Sequence, residues 1–204
     1  MKYEQAEWLG RWQNFESYLT STEPAMLRAW AEAEHAAKAM PMFKGGVKSF
    51  WAAACTTTTQ ENPTPLGGWN ITPEGENLAI EWFAADGSTL GKAVYHLDSV
   101  LPKGLEGKPN ALFVAADAAP DWPLRCLLAM EPMPARDAYK AGGLLSHLHF
   151  QYASKPELLF DADGSLCNPM WYATMCDASG DLLARCNIVR AMHHLPVWTE
   201  LPQE

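Results

Sequence analysis

The segment Ser146-His147-Leu148-His149-Phe150 carries the most usable chemistry in this chain. Side chains two residues apart on an extended strand share a face. Both imidazoles then stand side by side, and the expectation is that they look into a barrel interior. Imidazole is the commonest side-chain ligand for transition metals, and two on one strand form a chelating edge. The same pair also suits general-base work. Two histidines on the solvent side of a strand fit the spacing equally well.

Other candidates are scattered. Glu131 closes the run Leu127-Leu128-Ala129-Met130 just ahead of Pro132. A carboxylate at a strand end near a barrel mouth suits a ligand or a general acid–base. His96 alternates with Tyr95, so one of the two faces inward. His193 and His194 are adjacent, so on a strand at most one joins a site; they read as an exposed terminal pair. His35 falls in an Ala-rich helix and reads as a surface residue. Glu81 and Asp98, taken singly, read as solvated turn charges.

The elements that must position these groups are legible in outline. Thr22-Glu23-Pro24 starts a helix, with Thr as cap and Pro where no N–H is needed. Ala25 to Met40 follows, with Met26, Leu27, Trp30 and Ala33 or Ala37 as its apolar stripe. A second short helix is expected over Val47 to Ala54, then a Thr-, Pro- and Gly-rich loop from Thr56 to Gly68. Beyond it the pattern turns to strands. Leu78 to Phe83, Asp86-Gly87 and Ala93 to Leu97 read as a hairpin. Similar turns recur at Asp161 to Leu166 and Asp177 to Leu182. Leu112 to Ala115, Leu124 to Met130, Leu144 to Tyr152, Leu158 to Phe160, Trp171 to Met175 and Leu183 to Arg190 supply further strands. The last is equally readable as helix, over Leu182 to His194. About eight strands close a small barrel around one ligand. The expected fold is mainly β: one calycin- or lipocalin-like antiparallel barrel domain over 1–204. Residues 1–67 form its helical and loop part, and 68–204 its barrel strands.

Composition narrows the partners. The 204 residues include 48% apolar types and 9 Trp, enough for a wide core or a lined pocket. A net charge of −9 and no basic cluster exclude the footprint of a nucleic-acid binder. No run of about 18 apolar residues exists, so no membrane-spanning helix is expected. Charges precede any apolar stretch at the N-terminus, arguing against a signal peptide. Cys55, Cys126, Cys167, Cys176 and Cys186 form an odd set with no C-x-x-C pair, the pattern of reduced thiols in the cytoplasm.

Two resemblances follow. Trp8-Leu9-Gly10-Arg11-Trp12 resembles the Gly-x-Trp opening of lipocalins and other calycins, where the Trp packs on an Arg from the last strand; Arg185 or Arg190 would match. A helix end with two core Trp residues is the other reading of the same motif. The order of features also resembles the ZinT (YodA) family of zinc-binding, calycin-like proteins. The shared features are the Gly10-Arg11-Trp12-Gln13 opening, Tyr18-Leu19 before a helix that includes Lys38, and Glu81-Trp82-Phe83 through Tyr95. Ala111-Leu112-Phe113, the His147-x-His149 strand and Asn168 to Tyr172 complete them. The resemblance implies that His147 and His149 are zinc ligands. The family's third His ends the preceding strand, where this chain has Ala129-Met130-Glu131, so Glu131 stands in its place. The expected metal set is His147, His149 and Glu131, with His96 or a water completing it around zinc or another divalent ion. The rival is an enzyme or carrier for a small hydrophobic molecule held in the aromatic-lined barrel. There the same His and Glu residues would act as acid–base groups.

Overall fold

The structure is a computed structural model that describes residues 3–56 and 64–203. Most of the expected Thr- and Pro-rich loop, 57–63, lies outside the described residues.

Short Asx turns set the antiparallel order. At the Asp86-Gly87 hairpin, the Asp86 carboxylate accepts from the Ser88 backbone N–H (2.9 Å) and hydroxyl (2.6 Å), and Gly87 takes φ 84°. A carboxylate bonded two residues on closes such a turn locally. The strands are β1 (Gly10–Asn14), β2 (Leu66–Glu74), β3 (Asn77–Ala84), β4 (Thr89–Leu101), β5 (Asn110–Val114), β6 (Cys126–Met130), β7 (His147–Ala153) and β8 (Ala173–Asp177). Each pairs with the next, and β8 returns to β1, so the sheet is a closed eight-stranded antiparallel barrel. This is the mainly β, calycin- and lipocalin-like architecture expected. Helices α1 (Glu16–Leu19), α2 (Pro24–Ala37), α3 (Val47–Thr56) and α4 (Leu182–Met192) and five 3₁₀ turns complete the described elements. None is long and apolar enough to cross a membrane.

The strand count agrees with expectation, but its membership does not. Leu183 to Arg190 is helix α4: the Asp181 carboxylate caps it by accepting from Ala184 N at 2.8 Å, and Ala184, Cys186, Ile188 and Val189 face its core. Leu158 to Phe160 forms a 3₁₀ turn and one isolated bridge, Phe160 to Leu166. In their place stand β1 and β2. The expected division at residue 67 is therefore crossed in both directions. Leu27, placed on the buried stripe of α2, is 47% exposed; Ala25, Met26, Ala29, Trp30, Ala33 and Ala37 are the buried ones.

Alternation along the strands sorts the core. Trp12, Trp69 and Trp82 face one another across β1, β2 and β3 in one register row, and all three are buried in the interior. Leu148, Phe150 and Tyr152 of β7 and Ala173 and Met175 of β8 belong to the same cluster. Trp69 packs edge-on against both Trp82 and Phe150, with centroids 4.9 Å apart. Each such side chain removed from water stabilises by about 1.5–3 kcal/mol. Close approach at the strand starts requires glycine: a Cβ at Gly68 would run into the Trp12 carbonyl.

A separate apolar cluster lies outside the barrel, where α1, α2, α3 and α4 pack with Leu145 and Cys176. At the barrel's other end, a 3₁₀ turn ends at Trp8 and Gly10 (φ 100°) swings the chain into β1. Trp8 ends a 3₁₀ turn and Trp12 is buried in the barrel, but the arginine expected from the last strand is not the one that meets Trp12. The arginine on Trp12 is Arg136, between β6 and β7, with its guanidinium 4.6 Å from the ring centroid. It also donates to the Leu9 carbonyl and pairs with buried Asp177 at 3.0 Å. Arg190 instead stacks on Trp198 and pairs with Glu32, and Arg185 makes a backbone contact to Asp181 within α4's first turn.

Arg136→Ala leaves the Asp177 carboxylate buried without its cation, a loss expected to cost about 3 kcal/mol. Arg185→Ala is expected to stay within about 0.5 kcal/mol of the parent. Urea denaturation of the two variants checks this; equal effects would refute the role of Arg136 in holding Trp12 and Asp177.

Candidate functional site

His147 and His149 do share a face, with ring centroids 5.7 Å apart. The face is the outer one. Leu148, Phe150 and Tyr152 take the interior, and strict alternation sends the two histidines out. The expectation of an inward-looking pair is corrected on this point. The rings are nonetheless not bathed in solvent, and His149 is 8% exposed. Across the strand pair, His147 lies opposite Cys176 and His149 opposite Thr174. Helix α3 comes down over β8 here, where the Tyr172 N–H donates to the Ala54 carbonyl (2.9 Å) and Cys55 Sγ lies 3.8 Å from Thr174 Oγ1.

The hydrogen bonds fix a tautomer. The Thr174 hydroxyl donates its single proton to the Tyr172 carbonyl at 2.6 Å. Its 2.8 Å contact with His149 Nδ1 is then a bond in which Nδ1–H donates to Oγ1. In the neutral ring the lone pair then sits on Nε2. The neighbouring thiols are held protonated: burial pushes Cys55 and Cys176 up to about 12. Neither is a ready thiolate at neutral pH.

The other expected ligands are not brought to this edge. Glu131 lies one residue past β6 in the alternation phase of inward Leu127 and Ala129, the phase opposite to the histidines. His96 sits on β4 opposite Val114, in the register row that reaches β7 at Ala153. Three strand spacings, about 14 Å, separate the strands that carry His96 and His149. Among the described residues, no three or more His, Cys, Asp or Glu side chains are grouped to hold a metal. His35 and His194 are exposed, as expected of His35 and of the terminal pair.

His193 departs from that expectation. It caps α4 and is 7% exposed, among Trp30, Phe43 and Trp51. Its Nδ1 bonds the Val189 carbonyl (2.7 Å), so Nδ1–H donates, and Nε2 accepts from the Trp51 indole (3.0 Å). The signal for it in the sequence is the helical alternative for Leu182 to His194, which puts His193 at a helix end.

At the open end of the barrel, a cavity of about 310 Å³ lies among Asn14, Glu16, Leu66, Phe150, Tyr152 and Trp171. Burial raises the Glu16 carboxyl above its ordinary value. The cavity falls at the low end of the usual size for small-molecule pockets.

No family model, no curated protein and no solved structure matches this chain. What defines its class is the molecule itself: a calycin-like eight-stranded barrel with its polar cluster on the outer face of β7 and β8 and an aromatic cavity at its mouth.

Burial lowers the pKa of His193 below its usual 6.5, with the charge of His194 acting in the same direction. The imidazole is neutral in both folded and unfolded chains above about pH 6.5, where its contribution is complete. Below that value the unfolded chain takes the proton first, so stability is lost as pH falls. His193→Gln, which keeps an acceptor for Trp51, is expected to flatten the decline in urea midpoint between pH 7 and 5. An unchanged slope would contradict the buried neutral imidazole.

Proposed function

We propose that this chain binds a divalent metal ion, zinc in the first instance, at the outer face of β7 through His147 and His149. One observation carries the reading: the centroid spacing of 5.7 Å. Zinc–nitrogen bonds of about 2.0–2.1 Å at tetrahedral angles put two ligating rings roughly 5 Å apart, so only a small adjustment is needed. The Thr174 hydroxyl supports it further by holding His149 with Nε2 as acceptor, the outer-shell role that orients ligating histidines. The resemblance of the His-x-His strand to that of the ZinT family points the same way. Of the four expected donors, His147 and His149 lie at this edge, while Glu131 and His96 lie away from it. An ion at this edge would act as a Lewis acid or be held for delivery. Five free thiols, four of them buried, support a reducing and hence cytoplasmic setting.

A second reading has its own observation. The mouth cavity, walled by Phe150, Tyr152, Trp171 and Leu66, supports a carrier of a small hydrophobic molecule. The histidines then play no part in it, since they lie on the other side of β7.

Competition titration with a zinc chelator, on protein without an affinity tag, tests the metal reading. One zinc per chain is expected, with His147→Ala and His149→Ala each lowering affinity by two orders of magnitude or more. Thr174→Val is expected to lower it about tenfold, the scale of an outer-shell loss. Affinity unchanged in His147→Ala would refute it.

A further inference from the structure

Among the described residues, Glu16 is the one charged group in the wall of the mouth cavity, and no Lys, Arg or His lines it. Its neighbours place the carboxylate end there. The Asn14 side-chain N–H donates to Glu16 Oε2 (3.4 Å) and to the Leu66 carbonyl (2.7 Å). Asn14 is in the inward phase of β1 with Trp12, and Asn14 and Leu66 both wall the cavity. The Cys55 thiol, a third wall group, feels the Glu16 charge, which adds to burial in raising it. Asn14, Leu66 and Cys55 thus bracket one carboxylate. It is also within reach of a ligand. Glu16 is only part-buried, and its Oε1 is not one of the sealed, unpartnered polar atoms among the described residues.

No cation of the protein answers this charge. Among the described residues no Lys, Arg or His pairs with Glu16: Arg136 pairs with Asp177, and Arg28 and Arg190 with Glu32. Arg11 lines an outer cleft that Glu16 also borders, but it stands over the Phe83 ring at 5.8 Å. Burial raises the Glu16 carboxyl, and no neighbouring cation brings it back down. The cavity is therefore short of one positive charge. An anionic ligand would meet a like charge with no counter-ion. A bare metal ion of the oxygen-seeking kind takes six or more donors, and one carboxylate beside a committed amide does not supply them. The opposite wall is aromatic: Tyr152 lies edge-on to Trp171 (5.3 Å) and stacked near Phe150 (6.1 Å). Such rings bury an apolar body, and their faces attract a cation.

We infer that the mouth cavity takes a small organic amine in its ammonium form, with the charged head paired to the Glu16 carboxylate and a single apolar ring against Phe150, Tyr152 and Trp171. The inference rests on the carrier reading above and names its ligand class.

Calorimetry on the full chain near neutral pH compares three probes of similar shape: 2-phenylethylamine, 2-phenylethanol and 3-phenylpropionate. The amine is expected to bind about tenfold more tightly than the alcohol, the worth of one hydrogen-bonded charge pair. The carboxylate is expected to bind most weakly. Glu16→Gln should bring the amine down to the level of the alcohol and leave the alcohol unchanged. Glu76→Gln, in the exposed turn between β2 and β3 at the far end of β2 from Leu66, removes the same charge and should leave the amine unchanged. Equal affinity of amine and alcohol in the parent protein overturns the ammonium inference and leaves the carrier reading standing. So does amine binding that survives Glu16→Gln, or that falls equally in Glu76→Gln, which would reduce it to general attraction by an acidic protein. Failure of all three probes overturns both readings. Should Glu16→Gln not fold, carbon-13 spectra of glutamate-labelled parent protein decide. One side-chain carboxyl resonance is expected to move with the amine and not with the alcohol; no such movement overturns the inference.

Discussion

Closure of the sheet imposes the constraint on which everything else depends. Once β8 pairs with β1, every strand residue has two choices, inside or outside, and the choice alternates without exception between bulges. The inside is claimed by indoles and phenyl rings. Trp12, Trp69 and Trp82 fill one row, and Phe150 meets Trp69 from across the barrel. Since Leu148 and Phe150 must be in, His147 and His149 must be out. A one-residue slip of β7 would reverse this, but it would also bury two imidazoles among tryptophans and expose three large apolar side chains. The apolar term decides the register.

Outside the barrel, the histidines escape full hydration because the helical layer packs over β8. Cys55 of α3, Thr174 of β8 and His149 of β7 meet there. The same α3 carries Trp51, whose indole is received by His193 of the chain's last helix. One short helix thus ties the outer polar cluster to the C-terminal segment. At the opposite end from the cavity, Arg136 joins the Trp8 turn, β1 and the end of β8, so the barrel floor is held by a residue from a loop.

Two chemistries occupy the two sides of one strand. On the outer side stand two imidazoles, one of them bonded to the Thr174 hydroxyl; on the inner side lie the aromatic rings that wall the mouth cavity. Cys55 of α3 touches both sides, lining the cavity and standing 3.8 Å from the Thr174 hydroxyl that His149 bonds.

Much of the barrel was legible from local pattern. The Asp-Gly turn with its flanking aromatic runs marked the β3–β4 hairpin, and Leu112 to Ala115 and Leu124 to Met130 read as strands because their apolar runs are short and bounded by turn residues. The helix at Pro24 was marked by its proline. The departures share a cause. β1 and β2 carry glycine and polar residues that local propensity discounts; they are strands because their neighbours supply hydrogen-bond partners and a place for Trp12 and Trp69. Arg136 was not found because a cation over an indole is a contact between segments far apart in sequence. By itself, the amino-acid order determined that this is a Trp-rich β domain whose two histidines share a face, because period-two geometry is local. Which face that is, what covers it, and which of Glu131 and His96 reach it were decided only by the closed sheet, because the competition for the interior is settled between strands and not within one.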